Sequence, residues 1–284
     1  MSLFSQRLVG AFRRTLPGCV AQTQAIAFNM FLALAPTVVL VLGIVASSHG
    51  LRVGLLDTVR PYRGMLPPGV FQLIADFLNE PSAHAWRLIA LGLGGSVLAG
   101  GQMMRLVIDG LQMVYKDCER PAYWSRNLRA LLLLAIAIAP WLVTTMLIGF
   151  GKQMRPRVIG GGEWSRLMIV LWPALYLLAT LAGVMAVLAV IYRVGRPCDG
   201  GWAAVARGAA VAAGLWWFVS WAFGVYMRSV PYRALYGGLE VAIGLMIWME
   251  LTATVILIGA AYNAESNATV PRDSASGQRY TAVR

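Results

Sequence analysis

Residues 16–50 read LPGCVAQTQAIAFNMFLALAPTVVLVLGIVASSHG and contain no Asp, Glu, Lys or Arg. A helix needs roughly 20 apolar residues to cross the hydrocarbon of a bilayer, and this run exceeds that length. An uninterrupted apolar run of this kind is typical of a membrane-spanning helix. The run therefore predicts an integral membrane protein.

Five further stretches repeat this pattern. Three have no Asp, Glu, Lys or Arg at all, and they lie between Ala130 and Gly151, between Leu167 and Tyr192, and between Gly208 and Met227. Two others contain isolated charges. We therefore predict six spans, at about 25–48, 88–115, 130–151, 167–192, 204–227 and 234–263.

The composition of the whole chain agrees with this. Of its 284 residues 58% are hydrophobic and 13% are charged, and the mean hydropathy is +0.66. A soluble domain carries about 25% charged residues. The expected fold class is an all-α integral membrane bundle, and an ordinary soluble enzyme is excluded.

Three segments outside the spans have predictions of their own. Residues 1–24 combine an apolar helical face with Arg7, Arg13 and Arg14, which predicts a cytoplasmic amphipathic leader on the membrane surface. A helical period at about 70–78 predicts an amphipathic helix in the long first outer loop. The tail, 264–284, is predicted to be disordered and cytoplasmic.

Charge and cysteine placement favour one orientation. With six spans both termini share a side, which carries 13 basic residues against 10 on the other. The positive-inside rule then favours cytoplasmic termini. Cys19, Cys118 and Cys198 all fall on that side, where thiols stay reduced. We expect a multi-pass protein of the bacterial inner membrane.

Charged groups inside the spans are the candidate functional residues, because each costs about 2.5–3.5 kcal/mol at mid-span if it faces lipid. They are Arg105, Asp109, Glu240 and Glu250, and Asn29 joins them as a polar group in the first span. One interpretation makes them the lining of a substrate or proton pathway. The other makes them internal pairs that fix helix register, with Arg105 and Asp109 one turn apart and able to pair.

Small residues and a proline predict how the helices pack. Span 2 places small residues at four-residue intervals, and span 5 does the same, which lets another helix approach closely. Pro36 predicts a kink in the first span. The predicted packing residues are Gly92, Ser96, Gly100, Ala204, Gly208 and Ala212.

Enzymatic and nucleic-acid functions are disfavoured. The two histidines, His49 and His84, form no metal-ligand pattern, and no nucleotide-binding or nucleophile motif is present. We expect no metal, no cofactor and no enzyme activity. Of the 24 basic residues 22 are Arg, which suits phosphate head groups but also fits a genome that favours Arg codons. They are scattered through short loops, so nucleic acid is not an expected partner.

Three spans carry residue patterns of a known family. The patterns are Ala25–Pro36 in span 1, Tyr192-Arg193, Pro197 and Trp202 before span 5, Gly208-Ala209, Trp216, Phe223 and Tyr226 in span 5, and Tyr236-Gly237, Trp248, Leu251, Gly259-Ala260 and Asn263-Ala264-Glu265 in span 6. On these residues the chain resembles the YihY/BrkB family of bacterial inner-membrane proteins, formerly mislabelled ribonuclease BN, over about residues 5–265.

The chain departs from the family pattern at three positions. Ala261 occupies a position that is acidic in many relatives, Ala33 replaces a usual serine, and Glu250 stands where an aromatic residue is typical. An acidic role in relatives would therefore be absent here or carried by Glu250 or Glu240. The resemblance implies a membrane protein suspected of transport, with lipid or lipopolysaccharide export the most discussed activity.

The leading hypothesis is a transporter or flippase-like protein for an amphipathic, anionic lipid. Its expected partners are membrane lipids, with an anionic phospholipid or a lipopolysaccharide precursor as substrate. The alternatives are a non-transporting scaffold or assembly factor for envelope biogenesis and a small-solute transporter. A homo-oligomer is left open.

Overall fold

The computed structural model describes residues 3–47, 50, 85–115, 124–138, 164–195, 202–229 and 239–268. In these ranges the chain forms six long helices: α1 (Leu3–Ala46), α2 (Ala85–Tyr115), α3 (124–138), α4 (Trp164–Gly195), α5 (Trp202–Ser229) and α6 (Glu240–Ala268). The predicted all-α membrane fold is confirmed. The predicted helix at 70–78 lies outside the described residues, as does most of the tail.

Four segments of the described chain are long and apolar enough to cross a membrane: Gly18–Ala46, Ala85–Tyr115, Val205–Ser229 and Glu240–Ser266. They match the predicted spans 1, 2, 5 and 6. The predicted span 3 is described only as far as residue 138, and span 4 falls in α4, whose segment Thr180–Gly195 is apolar but shorter. The number of spans therefore stays a prediction.

The first helix is longer than a single span. It runs for 44 residues without a break, or about 66 Å, against a hydrocarbon core of about 30 Å. The predicted leader and first span are thus one helix, which stays helical through Pro36. Near its start, Gly10 lies beside Glu265 of α6. The position of the leader relative to the membrane surface stays a prediction.

Helices α1 and α2 form a close antiparallel pair. The backbone of Leu40 lies directly against Gly92, and Pro36 lies against Gly95. A hydroxyl–hydroxyl contact of 3.3 Å links Thr37 and Ser96. Because these glycines carry no Cβ, the two backbones approach more closely than larger residues would allow.

This seam yields a stability prediction with a control on the same helix. A Cβ on Gly92 would overlap the backbone of Leu40, whereas a Cβ on Gly94 meets nothing within 4 Å. Gly92→Ala should lower the free energy of unfolding by about 1–3 kcal/mol, the usual cost of overpacking. Gly94→Ala should be neutral or stabilising by up to about 1 kcal/mol, because alanine is the better helix former. Unfolding in detergent measures both, and equal stability of the two variants would contradict the packing described.

The buried core occupies one end of the bundle. Its members come from all six helices, at residues 19–30 of α1, 103–115 of α2, 130–137 of α3, 184–194 of α4, 205–219 of α5 and 253–264 of α6. This is the predicted cytoplasmic end. Toward the other end, the described parts of α1 with α2, and of α5 with α6, continue beyond the core as two pairs.

Helices α4, α5 and α6 are joined at this end by a compact junction. The Tyr192 hydroxyl donates to the Ile256 carbonyl at 2.7 Å. Asn263 is fully buried, and its side-chain oxygen accepts from the Gly208 amide at 2.7 Å while its amide nitrogen donates to the Val205 carbonyl at 3.0 Å. Both polar ends of a buried side chain are therefore satisfied, as burial demands.

Candidate functional site

Three helices meet at a polar contact near the predicted cytoplasmic end. The Gln22 side chain of α1 donates to the Leu106 carbonyl of α2 at 2.6 Å. One turn further along α2, Gly110 lies against both Gln22 and Leu257 of α6. This contact fixes the register of the three helices, with α1 antiparallel to α2 and to α6.

That register places Asn29 and Glu250 at one level of the membrane. Each lies seven residues, or two turns and about 10 Å, from the contact of Gln22 with Leu257, and in the same direction. A seven-residue step keeps each residue on nearly the same helix face. The two polar side chains predicted from sequence therefore share a level, on faces of α1 and α6 directed toward each other and toward α2.

Glu250 lies at the boundary of the core. The next residue on its face, Ala253, is fully buried, whereas Met246, one turn earlier, is exposed. The Glu250 side chain is half-buried, and its carboxylate makes no hydrogen bond or ion pair in the part of the chain that the structure describes. A charge at mid-span without a partner costs about 2.5–3.5 kcal/mol, so this position calls for a functional reason.

The other two groups predicted near it have simpler environments. The Asn29 amide nitrogen donates to the Ala25 carbonyl of its own helix at 2.9 Å, which leaves the side-chain oxygen as an acceptor. Glu240 is in the first turn of α6, where the positive end of the helix dipole stabilises a carboxylate. It lies ten residues, about 15 Å, from Glu250, so the structure does not bring the two glutamates together.

The predicted pairing of Arg105 with Asp109 is wrong. The Arg105 guanidinium donates to Gln102 on its own helix and to the Asn127 side-chain oxygen of α3 at 3.1 Å. Asp109 instead pairs with Arg126 of α3, at 3.1 Å. We call these five residues the α2–α3 polar cluster. Charged partners on the facing helix compete successfully with a partner one turn away on the same helix.

The α2–α3 polar cluster and Glu250 do not line one space. Arg105 lies five residues from Gly110, which turns it by about 140° away from the face of α2 that meets Leu257 of α6. The sequence-based hypothesis of a single charged pathway thus divides into two separate sites. One is the level of Glu250 and Asn29, and the other is on the opposite side of α2.

Sequence reasoning missed Arg126 and Asn127 because it placed them in a loop. Span 3 was predicted to begin at 130, where the uncharged run begins, but α3 begins at residue 124. A search for uncharged windows excludes a first turn that contains arginines. Asn263 and Tyr192 were noted only for their resemblance to the family, and the Asn263-Ala264-Glu265 run was the only signal that a polar group is buried there.

Comparisons with known proteins agree on one family. A family profile described as Virulence factor BrkB matches residues 18–281. A UPF0761 membrane protein of Laribacter hongkongensis is 26% identical over 271 residues, which cover 91% of this chain and 61% of that protein. The ribonuclease-like protein YfkH of Bacillus subtilis is 22% identical over 254 residues, covering 89% of this chain and 91% of that one. No solved structure matches the chain.

Proposed function

Because the chain belongs to the Virulence factor BrkB family of membrane proteins, we propose that it moves an amphipathic, anionic lipid across the bacterial inner membrane. The observation that carries the proposal is the unpaired carboxylate of Glu250, on the face of α6 directed toward α1 and α2. A lone ionisable group inside a membrane protein marks a substrate path or a proton relay more often than a structural contact.

Glu250 would serve as the titrating group of the pathway. A carboxylate that alternates between a charged and a protonated form can couple a conformational step to a proton gradient. Asn29, at the same level, offers an oxygen acceptor that can hold a protonated carboxyl by a hydrogen bond. In the chain sequence no nucleotide-binding motif was found, so a gradient or downhill lipid flow is the expected energy source.

A scaffold function is less well supported. That hypothesis required small-residue helix faces available to a partner. In the described part of the chain, Gly92 and Gly95 are occupied by α1, Gly100 by Leu134 of α3, and Gly208 by α6. These residues hold the bundle itself together, which leaves a scaffold without the binding face predicted for it.

The ribonuclease-like name belongs to the Bacillus subtilis relative. In the described ranges no three His, Cys, Asp or Glu residues are grouped so that they could hold a metal ion. That this chain is not an enzyme stays a prediction.

Movement of a leaflet-labelled anionic phospholipid in proteoliposomes tests the proposed activity. We expect purified protein to accelerate the loss of leaflet asymmetry relative to liposomes without protein. An equal rate with a water-soluble anion entrapped and released would favour the small-solute alternative instead.

Cytoplasmic termini form part of the proposal, and they predict a labelling pattern. Cys19 is buried, so its protection would carry no information on sidedness. In a background without the native cysteines, Ser229→Cys, at the exposed end of α5, should react with a membrane-impermeant thiol reagent on spheroplasts. Trp202→Cys, at the exposed start of the same helix, should react only after lysis. The reverse pattern would invert the orientation.

A further inference from the structure

The α2–α3 polar cluster has more positive charge than its own carboxylate can balance. It contains Arg105 and Arg126 but a single acid, Asp109, and Arg129 follows Arg126 one turn later on α3. Side chains three residues apart on a helix are neighbours. Three guanidinium groups and one carboxylate leave a net charge of about +2 at this seam of the described chain.

Donors remain available in this seam. Guanidinium carries five N–H donors, and Arg105 uses three of them on Gln102 and Asn127. One terminal nitrogen of Arg129, Nη1, is buried and has no hydrogen-bond partner in the described chain. A buried cationic donor without an acceptor is costly, so an anion at this place would be bound favourably.

The seam lies at the depth of lipid phosphates. Asp109 is six residues before the end of α2, or about 9 Å from it, on a helix whose length of about 46 Å matches a bilayer with its head groups. Trp124, two residues before Arg126, is 83% exposed, and exposed Trp is enriched at the membrane–water interface. The side chains of Arg126 and Asp109 are 31% and 30% exposed, so the cluster is accessible from outside the bundle.

We propose that this seam binds the phosphate of an anionic phospholipid, with Arg126 and Arg129 as ligands and Asp109 as the group that positions Arg126. Arginine recognises phosphate through a planar fork of donors, and basic seams between spanning helices are suited to phospholipid head groups. The site is on the opposite side of α2 from Glu250. It is a lipid-binding site on the surface of the bundle, and it does not depend on whether the chain moves lipid.

Equilibrium binding of fluorescent phosphatidylglycerol and phosphatidylcholine to the purified full chain in detergent tests the proposal. We expect the wild type to prefer phosphatidylglycerol, and Arg129→Gln to weaken that binding on the order of tenfold. Arg207→Gln, which removes an exposed arginine of α5, is the matched control and should bind as the wild type does. Equal losses in both variants, or no loss in Arg129→Gln, would overturn the proposal.

Asp109→Asn separates a binding site from a structural ion pair. Removing the carboxylate releases Arg126 for the phosphate, so phosphatidylglycerol should bind several-fold more tightly. A pair that only fixes helix register predicts a lower unfolding temperature and no gain in binding, and that outcome would contradict the proposal. If millimolar inorganic phosphate displaces the lipid, the site recognises free phosphate as well; if it does not, the glycerolipid is the ligand.

Discussion

Replacing Gly208 with alanine should destabilise the bundle more than any other single methyl group considered for this chain. A Cβ at this position would overlap the Gly259 carbonyl and the Asn263 side chain of α6. The helices would have to separate, at a cost of about 1–3 kcal/mol for overpacking. Separation would also break the two hydrogen bonds of the buried Asn263, which adds about 1–3 kcal/mol for each polar group left unpaired.

Gly214→Ala is the control for this prediction. It is on the same helix, and a Cβ there meets nothing within 4 Å. Alanine at this site should leave the unfolding temperature in detergent unchanged or slightly higher, because it favours the helix by about 1 kcal/mol. If Gly208→Ala unfolded at the same temperature as Gly214→Ala, the junction of α4, α5 and α6 could not be packed as described.

The second large effect is expected at Glu250. Glutamine has nearly the same shape as glutamate but cannot carry a charge or exchange a proton. Glu250→Gln should therefore reduce lipid movement to the rate of liposomes without protein. It should also raise the free energy of unfolding, because it removes an unpaired charge that costs about 2.5–3.5 kcal/mol at mid-span.

Opposite signs for activity and stability distinguish this prediction from a packing defect. A residue needed only for structure would lose both together. Glu240→Gln is the matched control, because Glu240 is at the first turn of α6 and the helix dipole already stabilises its charge. Lipid movement should persist in that variant, and its loss there would mean that Glu250 is not the distinguishing group.

The fold class could be predicted from sequence because its signal is a length. The uncharged run at 16–50 exceeds what a bilayer requires, and the helices α1, α2, α5 and α6 coincide with four predicted spans. Boundaries were less predictable. Helix α3 begins at 124, before its apolar run, because a membrane helix can continue into the head-group region with arginines in its first turn.

The candidate site was only partly predictable. Glu250 stands out in any search for charges within apolar runs, and its level beside Asn29 follows once the register of α1 and α6 is known. The partners of Arg105 and Asp109 could not be found in this way. They come from α3, 17 and 22 residues away along the chain, and periodicity on one helix contains no information about the face of its neighbour.

The most direct test of the central claim is the rate of lipid movement in proteoliposomes. Purified full chain would be reconstituted with fluorescent phosphatidylglycerol in the inner leaflet only, and an impermeant quencher would report its arrival outside. The account predicts that the wild type and Glu240→Gln accelerate this arrival, whereas Glu250→Gln does not. A wild-type rate equal to that of empty liposomes would contradict it.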